Sequence, residues 1–186
     1  MNSTLKTLET PRLRLDGWTL SDEDIDGLYA YAKNPNVGPN AGWKPHESRE
    51  ESRQIIEELF LPNRVWAIRE KETGRVIGSI GLEPDRRRED VKSLEMGYSL
   101  AEESWGKGYM TEAARAVMDY AFTELGLVVL AICTGPENRR SQRVIEKCGF
   151  QYEGRQRKGY HIFDGSDRDN LMYSITREEW MDREGR

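Results

Sequence analysis

The chain has 186 residues, 28 Lys and Arg against 33 Asp and Glu, and a formal net charge of −5. That length suits one domain spanning residues 1–186, and the acidic balance excludes a general nucleic-acid binder, which needs a basic face. With 37% hydrophobic residues the chain is too apolar to be disordered, yet it contains no run of ~20 apolar residues and no signal-like leader, so a cytoplasmic protein with no membrane association is expected.

Leu13, Leu15 and Trp18 follow Pro11 in a short strand-like run. Ser21 then reads as the N-cap of a first helix, with Asp24 three residues on. Residues 34–48, rich in Pro, Gly and Asn, form a loop. Ser48 and Glu51 open a second helix that turns Ile55, Ile56, Leu59 and Phe60 inward and stops at Pro62. Residues 65–69 and 75–82 flank a Gly-containing turn and read as a hairpin. The charge run at 85–90 reads as a solvated hairpin loop with no assigned function. Residues 93–100 alternate, with Leu94, Met96, Tyr98 and Leu100 on one face and Glu95, Gly97 and Ser99 on the other. From Met110 a stripe of helical period runs to Leu125 and ends at Gly126. Residues 128–133 form a buried strand and 138–148 a helix closed by Gly149. Phe150 begins another strand, and 170–175 supply the last. Strands and helices alternate through the middle, and strands pair at the ends, which predicts a mixed sheet with helices on both faces.

The turn SWGKGYMTEAA at 104–114 lies between the alternating strand and the long helix. Free amides and the positive end of the helix dipole converge there, and Gly106 and Gly108 let an anion approach the backbone. A dinucleotide fingerprint would need glycine where Thr111 stands, and a Walker loop would need Gly-Lys-Ser/Thr; neither is present. Cys133 and Cys148 lack zinc or redox spacing and are expected to be reduced, and His46 and His161 fit no ligand pattern, so no metal is expected.

With PENRRSQRVIEKCGF at 136–150, this turn resembles the GNAT superfamily of N-acetyltransferases, in its ribosomal-protein N-terminal (serine/alanine) acetyltransferase-like branch. The resemblance runs in family order from PRLRL through GWKPHES, GYSL and WGKGYMTEA to NLMYSITREEW, nearly the whole chain. The superfamily turn, Gln/Arg-x-x-Gly-x-Gly/Ala, falls on Trp105, Gly108 and Met110, and tryptophan in the first slot is usual in this branch. The resemblance implies an α+β fold: a mixed, mostly antiparallel sheet of six to seven strands, about four flanking helices, and a splay between strands four and five. It implies acetyl-coenzyme A as donor, its pyrophosphate on Trp105, Gly106, Lys107, Gly108, Tyr109, Met110 and Thr111. The pantetheine arm would lie along Tyr98, Ser99 and Leu100.

By the same resemblance Asn138 bonds the pantetheine, beside its plainer role as a helix N-cap, and Ser141 is a catalytic candidate near the cofactor sulfur, donating to the departing thiolate or relaying a proton, against a solvated first-turn serine. An amine is mostly protonated at neutral pH, so a base is needed; Glu95 is the candidate, against a purely orienting carboxylate. A strand bulge, common in this family, would alter how its neighbours face. A backbone N–H near Tyr98 or Ser99 suits the oxyanion. Lys107, Arg139, Arg140 and Arg143 offer charge to the phosphates. Trp43 and Tyr160 either wall the acceptor site or pack on the surface. The implied partner is a primary-amine acceptor, a protein N-terminus or a small molecule, and related proteins are often homodimers. A polyamine, antibiotic or amino-acid acetyltransferase and a non-catalytic acyl-CoA-binding module are the competing readings.

Overall fold

In the computed structural model, which describes residues 5–185, eight strands form one sheet in the order β1-β2-β3-β4-β5-β6-β8-β7. They are β1 (Leu8–Glu9), β2 (Leu13–Gly17), β3 (Arg64–Glu70), β4 (Val76–Pro84), β5 (Ser93–Leu100), β6 (Val129–Thr134), β7 (Gln151–His161) and β8 (Asp167–Thr176). Only β5 and β6 are parallel. The sheet exceeds the expected strand count because the two-residue β1 pairs with β2, too short a segment to leave a periodic trace.

Six α-helices accompany it: α1 (Asp22–Ala32), α2 (Gly38–Ala41), α3 (Arg49–Ile55), α4 (Tyr109–Thr123), α5 (Arg139–Cys148) and α6 (Arg177–Glu184). The side chains of Ser21, Ser48 and Asn138 each accept from the amide three residues on, as local cap chemistry requires. Two sequence expectations fail here. Trp18 lies beyond the end of β2, packing with α1, and Leu59 is 49% exposed. Leu59 misses the core because α3 runs on into a π-helical turn (Ile56–Phe60) in which Leu61 N–H donates to Ile56 O. The inserted residue rotates the apolar stripe out of its 3.6-residue phase. The loop at 34–48 contains α2, and α6 adds an element that the periodicity did not suggest, although its capping box, Thr176 with Glu179, is explicit.

Two apolar clusters cover the two faces of the sheet. The alternation in β3 sorts them: Trp66 and Ile68 join α4 and α5 in one cluster, while Ala67 joins α1 and Ile56 in the other. Filling the first cluster are Ala113, Ala114, Val117, Ala121 and Phe122 of α4, all fully buried, so α4 is clamped along its length and its N-terminus is fixed beside β5. No helix among the described residues is long and apolar enough to cross a membrane.

Candidate active site

β5 pairs with β4 from Leu94 to Leu100 without a register break, so the bulge considered from sequence is absent there. On its other side, β5 pairs with β6 only from Ser93 to Met96, the last pair being Met96 with Ile132. Beyond that point β5 runs on through Gly97 to Leu100 with no strand on its β6 side, and a cavity of about 360 Å³ opens between β5, the 104–111 turn and α5. At Gly97 a Cβ would meet nothing within 4 Å, so the backbone there is open to a close neighbour.

Gly106 and Gly108 both take left-handed φ values, 74° and 81°, and Gly108 is the N-cap of α4. This geometry turns the chain without side chains in the concavity. The amides of residues 106–111 donate no hydrogen bond to any described residue, while Trp105 N–H and Glu112 N–H, on either side, are engaged. A run of unpaired donors at the positive end of a 15-residue helix has the chemistry to receive an anion.

Arg12 clamps the outer side of this turn from the start of β2. Its Nη1 donates to Lys107 O at 2.9 Å, its Nε and backbone N–H donate to Glu112 at 2.7 and 2.9 Å, and its guanidinium lies over the Tyr109 ring. Thr10 Oγ1 donates to the same carboxylate at 2.6 Å. Burial alone would raise the Glu112 carboxyl, but the donors from Thr10 and Arg12 outweigh it and hold it below the ordinary glutamate range. Such a group adds stability above its unfolded value, near pH ~4.3, that is lost as pH falls through the lower folded value. Glu112→Gln is therefore expected to flatten the fall in melting temperature between about pH 5 and about pH 3 relative to the parent protein. Superimposable acid curves in a thermal melt would show the clamp to be energetically idle.

Of the twelve positions expected to hold the cofactor, eleven line the cavity. The exception is Lys107, whose carbonyl is turned out to Arg12. Trp105 is fixed by its Nε1–H donating to Leu100 O at 2.8 Å, with Arg140 stacked 4.3 Å from its ring centroid. Arg140, Arg143 and Lys147 repeat at helical spacing on the cavity side of α5, whereas Arg139 turns to Gln142. Lys147 escaped the sequence reading, although its spacing from Arg140 and Arg143 is a legible signal. Asn138 spends its side chain on capping α5, Oδ1 accepting from Ser141 N–H at 3.1 Å, and its Nδ2 reaches Asn40 O at 3.4 Å. Through Asn40 and Ala41, α2 thus becomes a wall of the cavity that sequence reasoning did not identify.

Ser141 Oγ lies 3.0 Å from Tyr98 Oη, inside the apolar layer under α5. Burial pushes the Tyr98 phenol well above its ordinary value, against the smaller opposing effect of the Ser141 hydrogen bond, so the hydroxyl keeps its proton at neutral pH. The Tyr98 hydroxyl was not a sequence-level candidate, because its partner is 43 residues away.

Glu95 does not line this cavity. It projects from the opposite face of β5, where Arg87 Nη2 pairs with it at 2.8 Å. The neighbouring Cys133 thiol is pushed up to about 12, by burial first and the Glu95 carboxylate second, and burial lifts Cys148 to about 11. Neither cysteine supplies a thiolate nucleophile at neutral pH. Trp43 and Tyr160 also lie off the cavity and support its α2 wall: Trp43 packs against Gly38 and His46, and Tyr160 covers Gly42 and stacks with Arg168, whose Nη1 donates to Asn40 O. Among the described residues, no group of three or more His, Cys, Asp or Glu is placed to hold a metal ion.

The 85–92 loop differs from the solvated loop expected. Asp85 has a fully buried side chain that accepts from Arg88 at 2.7 Å and from Arg87 N–H at 3.1 Å, and Arg88 bridges onward to Glu153 of β7. The loop is latched across β6 and β8 on the Glu95 face.

Comparison with known proteins agrees with this architecture. Residues 12–151 match the family described as the acetyltransferase (GNAT) domain. The chain is 32% identical over 181 residues to uncharacterized N-acetyltransferase p20 of Bacillus licheniformis, covering 95% of this chain and 99% of that one. A shorter match, 32% over 85 residues, is to the ribosomal protein uS5-alanine N-acetyltransferase of Escherichia coli (strain K12), covering 46% of this chain and 43% of that one. The structure of Mycobacterium smegmatis RimJ in complex with CoA-disulfide superposes with a TM-score of 0.77 over 100% of this chain and 96% of that one, at 22% identity, a likeness of fold.

Proposed function

The chain belongs to the acetyltransferase (GNAT) domain family and is an N-acetyltransferase, and from that premise we propose that acetyl-coenzyme A is its donor and a primary amine, foremost a protein N-terminal α-amine, its acceptor. Residues 1–186 act as one domain. The parting of β5 from β6 beyond Met96 and Ile132 carries the assignment, because it leaves a protonated hydroxyl pair on one face of an open strand edge and a carboxylate on the other.

The residues present fit the donor. Six unpaired amides at 106–111 suit a diphosphate, and Arg140, Arg143 and Lys147 add positive charge along the same wall. The open edge at 97–100 suits an extended, amide-bearing arm that pairs with it as a strand would. When bound, acetyl-coenzyme A supplies a thioester whose thiol, with a pKa of roughly 8.5 by analogy with cysteine, leaves readily at neutral pH.

Glu95 accepts the proton of the incoming ammonium, directly or through water, and so frees the lone pair for attack on the carbonyl. A backbone N–H at Tyr98 or Ser99 stabilises the oxyanion. Tyr98, oriented by Ser141, donates toward the departing sulfur. That donation contributes modestly, because the thiolate is already a good leaving group. The transfer is direct, in a ternary complex.

A protein acceptor is favoured over a polyamine or antibiotic by the uS5-alanine relative. The deciding experiment follows thiol release from acetyl-CoA with free-N-terminal peptides, polyamines and aminoglycosides. Peptide-dependent release is expected; CoA binding without release in any arm would instead favour a non-catalytic acyl-CoA module.

A further inference from the structure

We propose that the Arg87 guanidinium occupies the subsite of the acceptor's ammonium on Glu95, and that an amine must displace it to be acetylated. The inference rests on the assignment of Glu95 as the residue that meets the amine.

A guanidinium and a primary ammonium are interchangeable partners for one carboxylate, and both approach it as N–H donors. Arg87 holds Glu95 at 2.8 Å but meets Asp85 only at 3.7 Å. Arg88, by contrast, is bound at both ends, to Asp85 and Glu153. The loop is therefore anchored by Asp85 and Arg88, and Arg87 is the member free to swing without releasing it. On the same face, two residues along β5, the space over Gly97 is open at the point where β5 and β6 part.

From Arg87 a groove of about 430 Å³ continues past Arg88 and Arg155 over Glu153, Gly154, Gln156 and Met172, so that Glu95 and Glu153 are the carboxylates beside it. A Cβ at Gly154 would meet nothing within 4 Å, so a chain can approach the backbone there. The groove is open to an extended chain lying against the Gly154 backbone, with its terminal ammonium at Glu95, as a peptide's would be.

The test is Arg87→Ala with the peptide Ala-Gly-Gly-Tyr as acceptor. Its KM for the peptide is expected to fall about fivefold, the scale of one partly exposed ion pair, with the change carried by KM and not kcat and with the KM for acetyl-CoA held. Arg87→Lys, which keeps a competing cation, should stay near the parent value. Calorimetric titration of the peptide into CoA-saturated protein should show the same tightening without turnover. A raised peptide KM would mean that Arg87 grips the acceptor, and an unchanged one that it does not meet it; either overturns the proposal. Absence of acetyl transfer by the parent protein despite CoA binding would sink the broader functional assignment instead, and the calorimetric arm would still report on Arg87.

Discussion

Gly108→Val is expected to weaken acetyl-CoA binding by about 100-fold while the protein still folds. Two effects add. Gly108 sits at φ 81°, a left-handed conformation that costs a β-branched residue ~1–3 kcal/mol, so the turn would relax and carry its amides out of line. The added side chain would also meet the Arg12 guanidinium, 3.5 Å from its Cβ, and loosen the clamp that holds the 106–111 amides in line, where each hydrogen bond to a charged group forfeited is worth ~1.5–3 kcal/mol. A loss of ~2.7 kcal/mol is a factor of about 100. Calorimetric titration with coenzyme A measures it directly. Gly74→Val is the control: Gly74 has φ 72° in the β3–β4 turn with nothing within 4 Å, so it shares the strain but lies outside the cavity. Equal affinity in the two variants would mean that the 106–111 amides do not bind the donor.

Glu95→Gln is expected to lower kcat/KM for the amine by about 100-fold, at the low end of what a positioned base contributes, with acetyl-CoA affinity retained. The amide keeps the shape of the carboxylate but cannot take a proton. The deficit should shrink as pH rises past the acceptor's own pKa, ~8 for an α-amine, because the amine then arrives unprotonated. That narrowing separates a base from a residue that only shapes the cleft, whose loss would be felt equally at every pH. A wild-type rate at pH 7 would remove Glu95 from the reaction.

What could be read directly from the residues was chemistry confined to a few neighbouring positions. Ser21, Ser48 and Asn138 cap helices through amides three residues away, β5 alternates because its side chains do, and Gly106 and Gly108 turn the chain into α4 because they lack a Cβ. The phase of the α3 stripe was lost where one π-helical turn inserted a residue, and Leu59 went outward.

The long-range partnerships around the cavity are of another kind. Arg12 reaches Glu112 across 100 residues, Tyr98 meets Ser141 across 43, and Arg168 meets Asn40 across 128. Each depends on which strands are neighbours and where β5 leaves β6, and no local periodicity encodes that. The amino-acid sequence by itself determined the N-caps at Ser21, Ser48 and Asn138, the alternation of β5 and the glycine turn into α4, because the backbone groups and torsions involved lie within a few residues of one another. Only the tertiary structure decided that Glu95 would face Arg87 while Tyr98 faced Ser141, because side-chain pairing between distant segments follows from sheet register and from which face each helix covers.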